Sequence, residues 1–105
     1  MTGIYDRITL VIVTTAFDVI GDPTRRRILD LLLKKPRAVH ELQERLHLSQ
    51  PATSKHLRIL REAGLVRAHV HAQRRVYELR YEPLVKLDAW LQPYRTLFSS
   101  TSEPR

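Results

Sequence analysis

The 105-residue chain contains no cysteine and only three glycines. Without cysteine there is no disulfide, no thiolate chemistry and no cysteine-based metal site. Three glycines leave little scope for a phosphate loop. No Ser–His–acid order and no pair of carboxylates stands out, so an enzyme is not expected. His40 and Glu41 are adjacent, but neighbours on a helix point about 100° apart, which is no catalytic pair. Long apolar runs are missing too. Ile8 to Val13 is the longest, far short of the roughly 20 residues that cross a bilayer. A signal peptide is not expected: Thr14-Thr15-Ala16 is a poor cleavage site, and Asp18 follows at once. A cytoplasmic location fits these absences.

What is present is a basic excess gathered in one segment. The net charge is +7. Residues 49–80 carry seven Lys and Arg (Lys55, Arg58, Arg61, Arg67, Arg74, Arg75, Arg80) against only Glu62 and Glu78. Solubilising charge would be spread evenly, whereas a gathered excess is the footprint of nucleic-acid binding. The apolar content of 43% suffices for one small core in one domain.

The segment opens with Leu48 to Leu65, LSQPATSKHLRILREAGL. Ser49 is a good N-cap, and Pro51 stands in the first turn, where a missing N–H is tolerated. Thr53, Leu57 and Leu60 make one apolar stripe at helical spacing. The other face carries Gln50, Ser54, Lys55, Arg58 and Glu62. Ala63-Gly64 ends the helix. By itself this helix fits a surface amphipathic helix as well as one for a DNA major groove; the flanks decide between them. Before it, Val39 to Leu46 reads as a short helix with Val39, Leu42 and Leu46 inward. His47-Leu48-Ser49 is the tight connection, which makes a helix-turn-helix. After it, Val66, Ala68 and Val70 alternate with polar residues, and Arg75 to Arg80 alternates less cleanly. This is a β-hairpin with His71, Gln73, Arg74 and Arg75 at its tip. The tip lacks glycine, so a four-residue loop is expected.

Asp22-Pro23 starts another helix, with Ile28, Leu29, Leu32 and Leu33 as its buried face. Arg25, Arg26 and Arg27 lie in its first turn, where the macrodipole disfavours cations; carboxylates on neighbouring helices are their expected partners, and a phosphate contact is the functional alternative. Lys34-Lys35-Pro36-Arg37 breaks the helix. Residues 5–20 fit a helix with Ile8, Ile12, Phe17 and Ile20 on a stripe, Ala16 helping, although the β-branched run also fits a strand. Pro83 starts a last helix to about Leu97, with Leu84, Leu87, Leu91 and Tyr94 on one stripe and Trp90 beside it. The expected domain is 1–98, and 99–105 (SSTSEPR) a polar disordered tail.

Residues 17–95 resemble the ArsR family of bacterial winged-helix repressors. The resemblance is carried by GDPTRRRIL from Gly21, LSQPATSKHL from Leu48, LREAGLV from Leu60, Arg75-Val76-Tyr77 and LDAWL from Leu87. It implies a mainly α fold with a small β-hairpin, a winged helix-turn-helix in the order α-α-α-α-β-β-α. It also implies a homodimer through the first and last helices, bound to an inverted-repeat operator on double-stranded DNA. Carried over residue by residue, Gln50, Ser54 and Lys55 would contact bases, with Ser49, Pro51, Thr53 and His56 at the edge of the same surface. His56 borders the core stripe, so packing or a phosphate bond suits it better than base reading. Arg58 would meet phosphate, and Arg74 and Arg75 would grip the backbone. The dimer set is Phe17, Leu84, Leu87, Trp90, Leu91 and Tyr94.

Many members of the family sense metals. Where the commonest sensor carries Cys-x-Cys, this chain has Ala38-Val39-His40, and its last helix offers Asp88 and no histidine. His69 and His71 share a hairpin face, but two ligands make no closed zinc site. No metal and no cofactor is expected, which agrees with the subgroup that LDAWL marks. The chain departs from that subgroup at both ends: its first dozen residues have no counterpart, and the last helix gives way early to SSTSEPR. The alternatives are a metal- or ligand-responsive sensor using His40, His69 and His71, and a winged-helix module for protein contacts.

Overall fold

The computed structural model describes residues 6–101, with side chains through Phe98. Their order is α1 (Arg7–Ile20), α2 (Pro23–Lys34), β1 (Arg37–Ala38), α3 (Val39–Leu46), α4 (Gln50–Glu62), β2 (Val66–His71), β3 (Arg74–Leu79) and α5 (Glu82–Thr101). This is the expected winged helix-turn-helix with one strand added. The extra strand, β1, pairs antiparallel with β3 (Arg37 opposite Tyr77, Ala38 opposite Val76), and the sheet order is β1-β3-β2.

Helix starts follow their caps. Asp22 Oδ2 accepts from the N–H of Arg25 at 2.9 Å, and Ser49 Oγ accepts from that of Ala52 at 3.2 Å. Pro23 and Pro51 each sit in the first turn, where no N–H is needed. The Asp6 carboxylate caps α1 by accepting from Thr9 N–H at 2.7 Å. α4 ends in a Schellman motif: Leu65 N–H donates to Leu60 O, Gly64 N–H donates to Arg61 O, and Gly64 takes a φ of 77°. In the turn of the helix-turn-helix, His47 is left-handed at φ 57°, and Leu48 N–H donates to Gln43 O.

The core lies where α2, α3, α4 and the hairpin meet. Ile28, Leu42, Leu57, Leu60 and Leu65 are fully buried there, each contributing about 1.5–3 kcal/mol by leaving water. A second, smaller cluster joins α1 to α5 through Val13, Ala16 and Leu87.

Several details depart from expectation. On α1 the buried residues are Val13, Ala16 and Val19, while Ile8 and Phe17 are exposed. The helix packs mainly on α5 and α2, so only a narrow stripe is covered. On α2, Ile28 and Leu32 are buried but Leu33 is 72% exposed. It borders an open apolar hollow with Ile20, Leu29, Leu79 and Leu84. Two of the three arginines of α2 meet carbonyls, not carboxylates: Arg25 Nε donates to Val19 O at 2.8 Å, and Arg26 Nη1 donates to Ile20 O at 2.6 Å. Cations poorly placed at the start of α2 are thus well placed at the C-terminus of α1.

The hairpin closes with a two-residue turn instead of a four-residue loop. His71 pairs with Arg74, leaving Ala72 and Gln73 at φ 51° and 67°. Two left-handed residues match the twist of the strands, as in a type I′ turn. The ladder continues to the tip and so overrides the residues' own preference. Val70, expected inside, is 74% exposed because the wing projects past the core. α5 runs to Thr101, beyond the expected end near Leu97; residues 102–105 of the expected tail, and Tyr5 of the expected first helix, lie outside the described residues. Among the described residues no helix is long and apolar enough to cross a membrane.

Candidate nucleic-acid interface

The N-terminal half of α4 and the wing share one side of the molecule. Thr53, Leu57 and Leu60 turn into the core. This leaves Gln50, Pro51, Lys55 and Arg58 exposed and Ser54 half-buried beside them. Gln50 Nε2 donates to Ser54 Oγ at 3.3 Å, so the two polar side chains present a joint donor–acceptor edge. Gln50, Arg74 and Arg75 line a single groove together with His40 and Gln43. Residues far apart in the sequence therefore converge on a cationic, polar surface. Exposed cations beside a helix with small polar groups make a surface suited to duplex DNA.

Of the expected contact residues, Thr53 is placed otherwise, while His56 packs, a role that its place beside the core stripe favours. Thr53 is fully buried and its hydroxyl donates to Ser49 O at 2.9 Å, so it is not presented on that surface. His56 is half-buried on the flank facing α2, and its Nδ1 lies 3.4 Å from Arg25 Nη1. Ser49 is exposed, with its side chain engaged in capping. Arg58 pairs with Glu62 at 3.7 Å across one exposed helical turn, a pair too solvated to hold it from another anion.

The wing is tethered near its tip. Arg74 Nη2 stands 3.4 Å from His40 Nε2 and 3.9 Å from Glu41 Oε1. Glu41 Oε1 also accepts from Ala38 N–H at 3.0 Å, and its other oxygen lies 3.8 Å from Arg37 Nη1. The Ala38 N–H, then the charges of Lys35, Arg37 and Arg74, hold the Glu41 carboxyl below the usual carboxylate range, against the opposing effect of burial. At the start of α2, the Arg25 N–H, then the charge of Arg25, do the same for Asp22. From the sequence, His40 is weighed as a metal ligand, alone or with His69 and His71, and Glu41 only as its neighbour. No local pattern shows their tie to a wing residue more than thirty positions away. His69 faces Glu78 at 3.8 Å. Among the described residues no group of three or more His, Asp or Glu is arranged to hold a metal ion.

The expected dimer set divides in two. Leu87 is buried within the chain against Val13 and Ala16, and Leu84 is half-buried, so both are engaged inside the subunit. Phe17, Trp90, Leu91 and Tyr94 remain exposed. Phe17 and Trp90 meet edge to face at 5.4 Å, and Trp90 and Tyr94 lie 5.0 Å apart. These rings form an aromatic ladder across α1 and α5.

Comparison with known proteins gives the family and the fold. Residues 22–68 match the model of the bacterial regulatory protein arsR family. The transcriptional repressor SdpR of Bacillus subtilis is 36% identical over 75 residues, which cover 71% of this chain and 83% of that protein. An HTH-type transcriptional regulator of Mycobacterium tuberculosis is 44% identical over 64 residues, 61% of this chain; the match spans only 60% of that relative's length. Among solved structures, the homodimeric winged helix-turn-helix DNA-binding domain of a possible ArsR-family regulator from Mycobacterium bovis superposes with a TM-score of 0.70. It is 24% identical and covers 99% of this chain and 100% of its own. The chain therefore belongs to the ArsR family of bacterial regulatory proteins, as a DNA-binding winged-helix regulator of transcription.

Proposed function

We propose that the protein is a repressor that binds an inverted-repeat operator as a homodimer. One observation carries the reading: Gln50 of α4 and Arg74 and Arg75 of the wing line a common groove, so one duplex can meet base-reading and backbone-gripping groups together. Gln50, Ser54 and Lys55 read base edges in the major groove, Ser49 and Pro51 border them, and Arg58, Arg74 and Arg75 meet phosphates. Two copies join through the exposed ladder of Phe17, Trp90 and Tyr94 with Leu91, and an apolar face of that kind marks an interaction surface. The Mycobacterium bovis neighbour is homodimeric and SdpR is a repressor, which supports both halves of the reading. The site of action is the cytoplasm, where the duplex is.

The test is the double substitution Gln50→Ala, Ser54→Ala. Loss of preference for a selected duplex, with affinity for unrelated duplex retained, supports base reading by α4. Unchanged preference refutes it. Each good base contact is worth about 1–3 kcal/mol of discrimination, so the change in preference is large enough to measure.

A further inference from the structure

Arg25 makes contacts that a role within α2 does not require. Its Nε donates to the carbonyl of Val19, in the last turn of α1, at 2.8 Å. Its Nη1 stands 3.4 Å from Nδ1 of His56, in the middle of α4. Its own N–H is held by Asp22 Oδ2, and the side chain is half-buried. A guanidinium has five donors, no acceptor and no accessible neutral form. The contact to His56 is therefore a donation to a bare Nδ1, which puts the imidazole hydrogen on Nε2. The planar fork couples the two contacts: with Nε on Val19 O, the direction of Nη1 is set. A lysine, with its donors on a single nitrogen, does not reproduce this fixed two-atom geometry.

We infer that Arg25 is a positioning residue of the recognition helix, tying the last turn of α1 to the middle of α4 through Nδ1 of His56. The inference rests on the DNA-binding reading of α4. His56 follows Lys55 directly and is two residues from both Ser54 and Arg58, so a roll of α4 at His56 displaces the side chains that face the duplex. The far end of the tie is α1, whose outer face carries Phe17. One arginine thus connects the helix of the proposed dimer surface to the helix that reads DNA. If Arg25 served only to cap α1, the Val19 contact would matter and the His56 contact would not.

The experiment compares Arg25→Lys, His56→Asn, His56→Leu and the double variant R25K/H56L. Asparagine Oδ1 stands near the position of Nδ1 and keeps the acceptor; leucine removes it. Helix content is checked by circular dichroism. Affinity is measured for a duplex that the wild-type protein selects from a random pool and for an unselected duplex. R25K and H56L are each expected to lose about tenfold for the selected duplex with little change for the unselected one. H56N should stay within about threefold, and the double variant should be no worse than either single one, because both break one interaction. Additive losses, or full affinity in H56L, overturn the proposal. Imidazole ¹⁵N spectra report without DNA: the His56 Nδ1 resonance, identified by its absence in H56N, should be that of an unprotonated acceptor and should move in R25K. An unmoved resonance also overturns the proposal. If no duplex is selected, the DNA-binding reading fails, while the spectra still decide whether Arg25 holds His56.

Discussion

Two uses of arginine stand side by side among the described residues, and only neighbours tell them apart. Arg25, Arg26 and Arg37 donate to carbonyls at the ends of helices, Val19 O, Ile20 O and Leu31 O. Arg75 projects from the wing, exposed. Arg26→Ala is expected to lower stability by about 0.5–1.5 kcal/mol, the range for one hydrogen bond, and to leave the salt dependence of DNA binding unchanged. Arg75→Ala should leave the melting temperature unchanged and flatten the slope of log affinity against log salt by about 1. Thermal melts and salt titrations of both variants check the pair of outcomes. Glu41 is the acidic counterpart, a carboxylate shared by Ala38 N–H, Arg37 and Arg74. Its folded-state carboxyl is held below the usual range, first by the Ala38 N–H. The stability it contributes is therefore complete above the carboxyl value of the unfolded chain, about 4.3, and disappears as pH falls through the lower folded value. Melting temperature should fall over that acid window, and less steeply in Glu41→Gln.

At the scale of elements, legibility followed local chemistry. Asp22-Pro23 and Ser49 with Pro51 mark the starts of α2 and α4, and Gly64 marks the end of the recognition helix, because caps and left-handed turns depend on a few adjacent residues. The stripe of Thr53, Leu57 and Leu60 was legible for the same reason. β1 was not: Arg37 and Ala38 are a strand only because Tyr77 and Val76 lie opposite, and no pattern within two residues shows that. Nor was the wing turn, since neither Ala72 nor Gln73 favours a positive φ. That mismatch has a consequence. A left-handed conformation costs an ordinary residue about 1–2 kcal/mol, and Asn-Gly suits a type I′ turn. Ala72→Asn with Gln73→Gly should raise the melting temperature by several degrees, on the order of 4–8 °C per kcal/mol for a domain of this size. A lowered melting temperature would show that the turn is held in place by other contacts. In the candidate site, the exposed residues of α4 were readable from helical periodicity. The tethers of Arg74 to His40 and Glu41, and of Arg25 to His56, join distant segments and needed the fold.

For the whole molecule, binding of an inverted repeat requires two copies paired so that both α4 helices face one duplex. Phe17, Trp90, Leu91 and Tyr94 stay exposed on one subunit, whereas Leu87 is engaged within it. Tyr94→Asp is therefore expected to leave the fold intact and convert dimer to monomer in sedimentation experiments. Affinity for a two-site duplex should drop by about 100-fold, since linking two sites enhances binding by roughly 10²–10⁴. Leu87→Asp should instead unfold the junction of α1 and α5, seen as lost helix signal. The most direct measurement is selection of bound sequences from a random duplex pool at fixed salt. The account predicts an enriched inverted repeat whose half-sites lie about one helical turn apart, roughly 10–10.5 base pairs. Enrichment of no sequence, or of a lone half-site bound by one subunit, would contradict it.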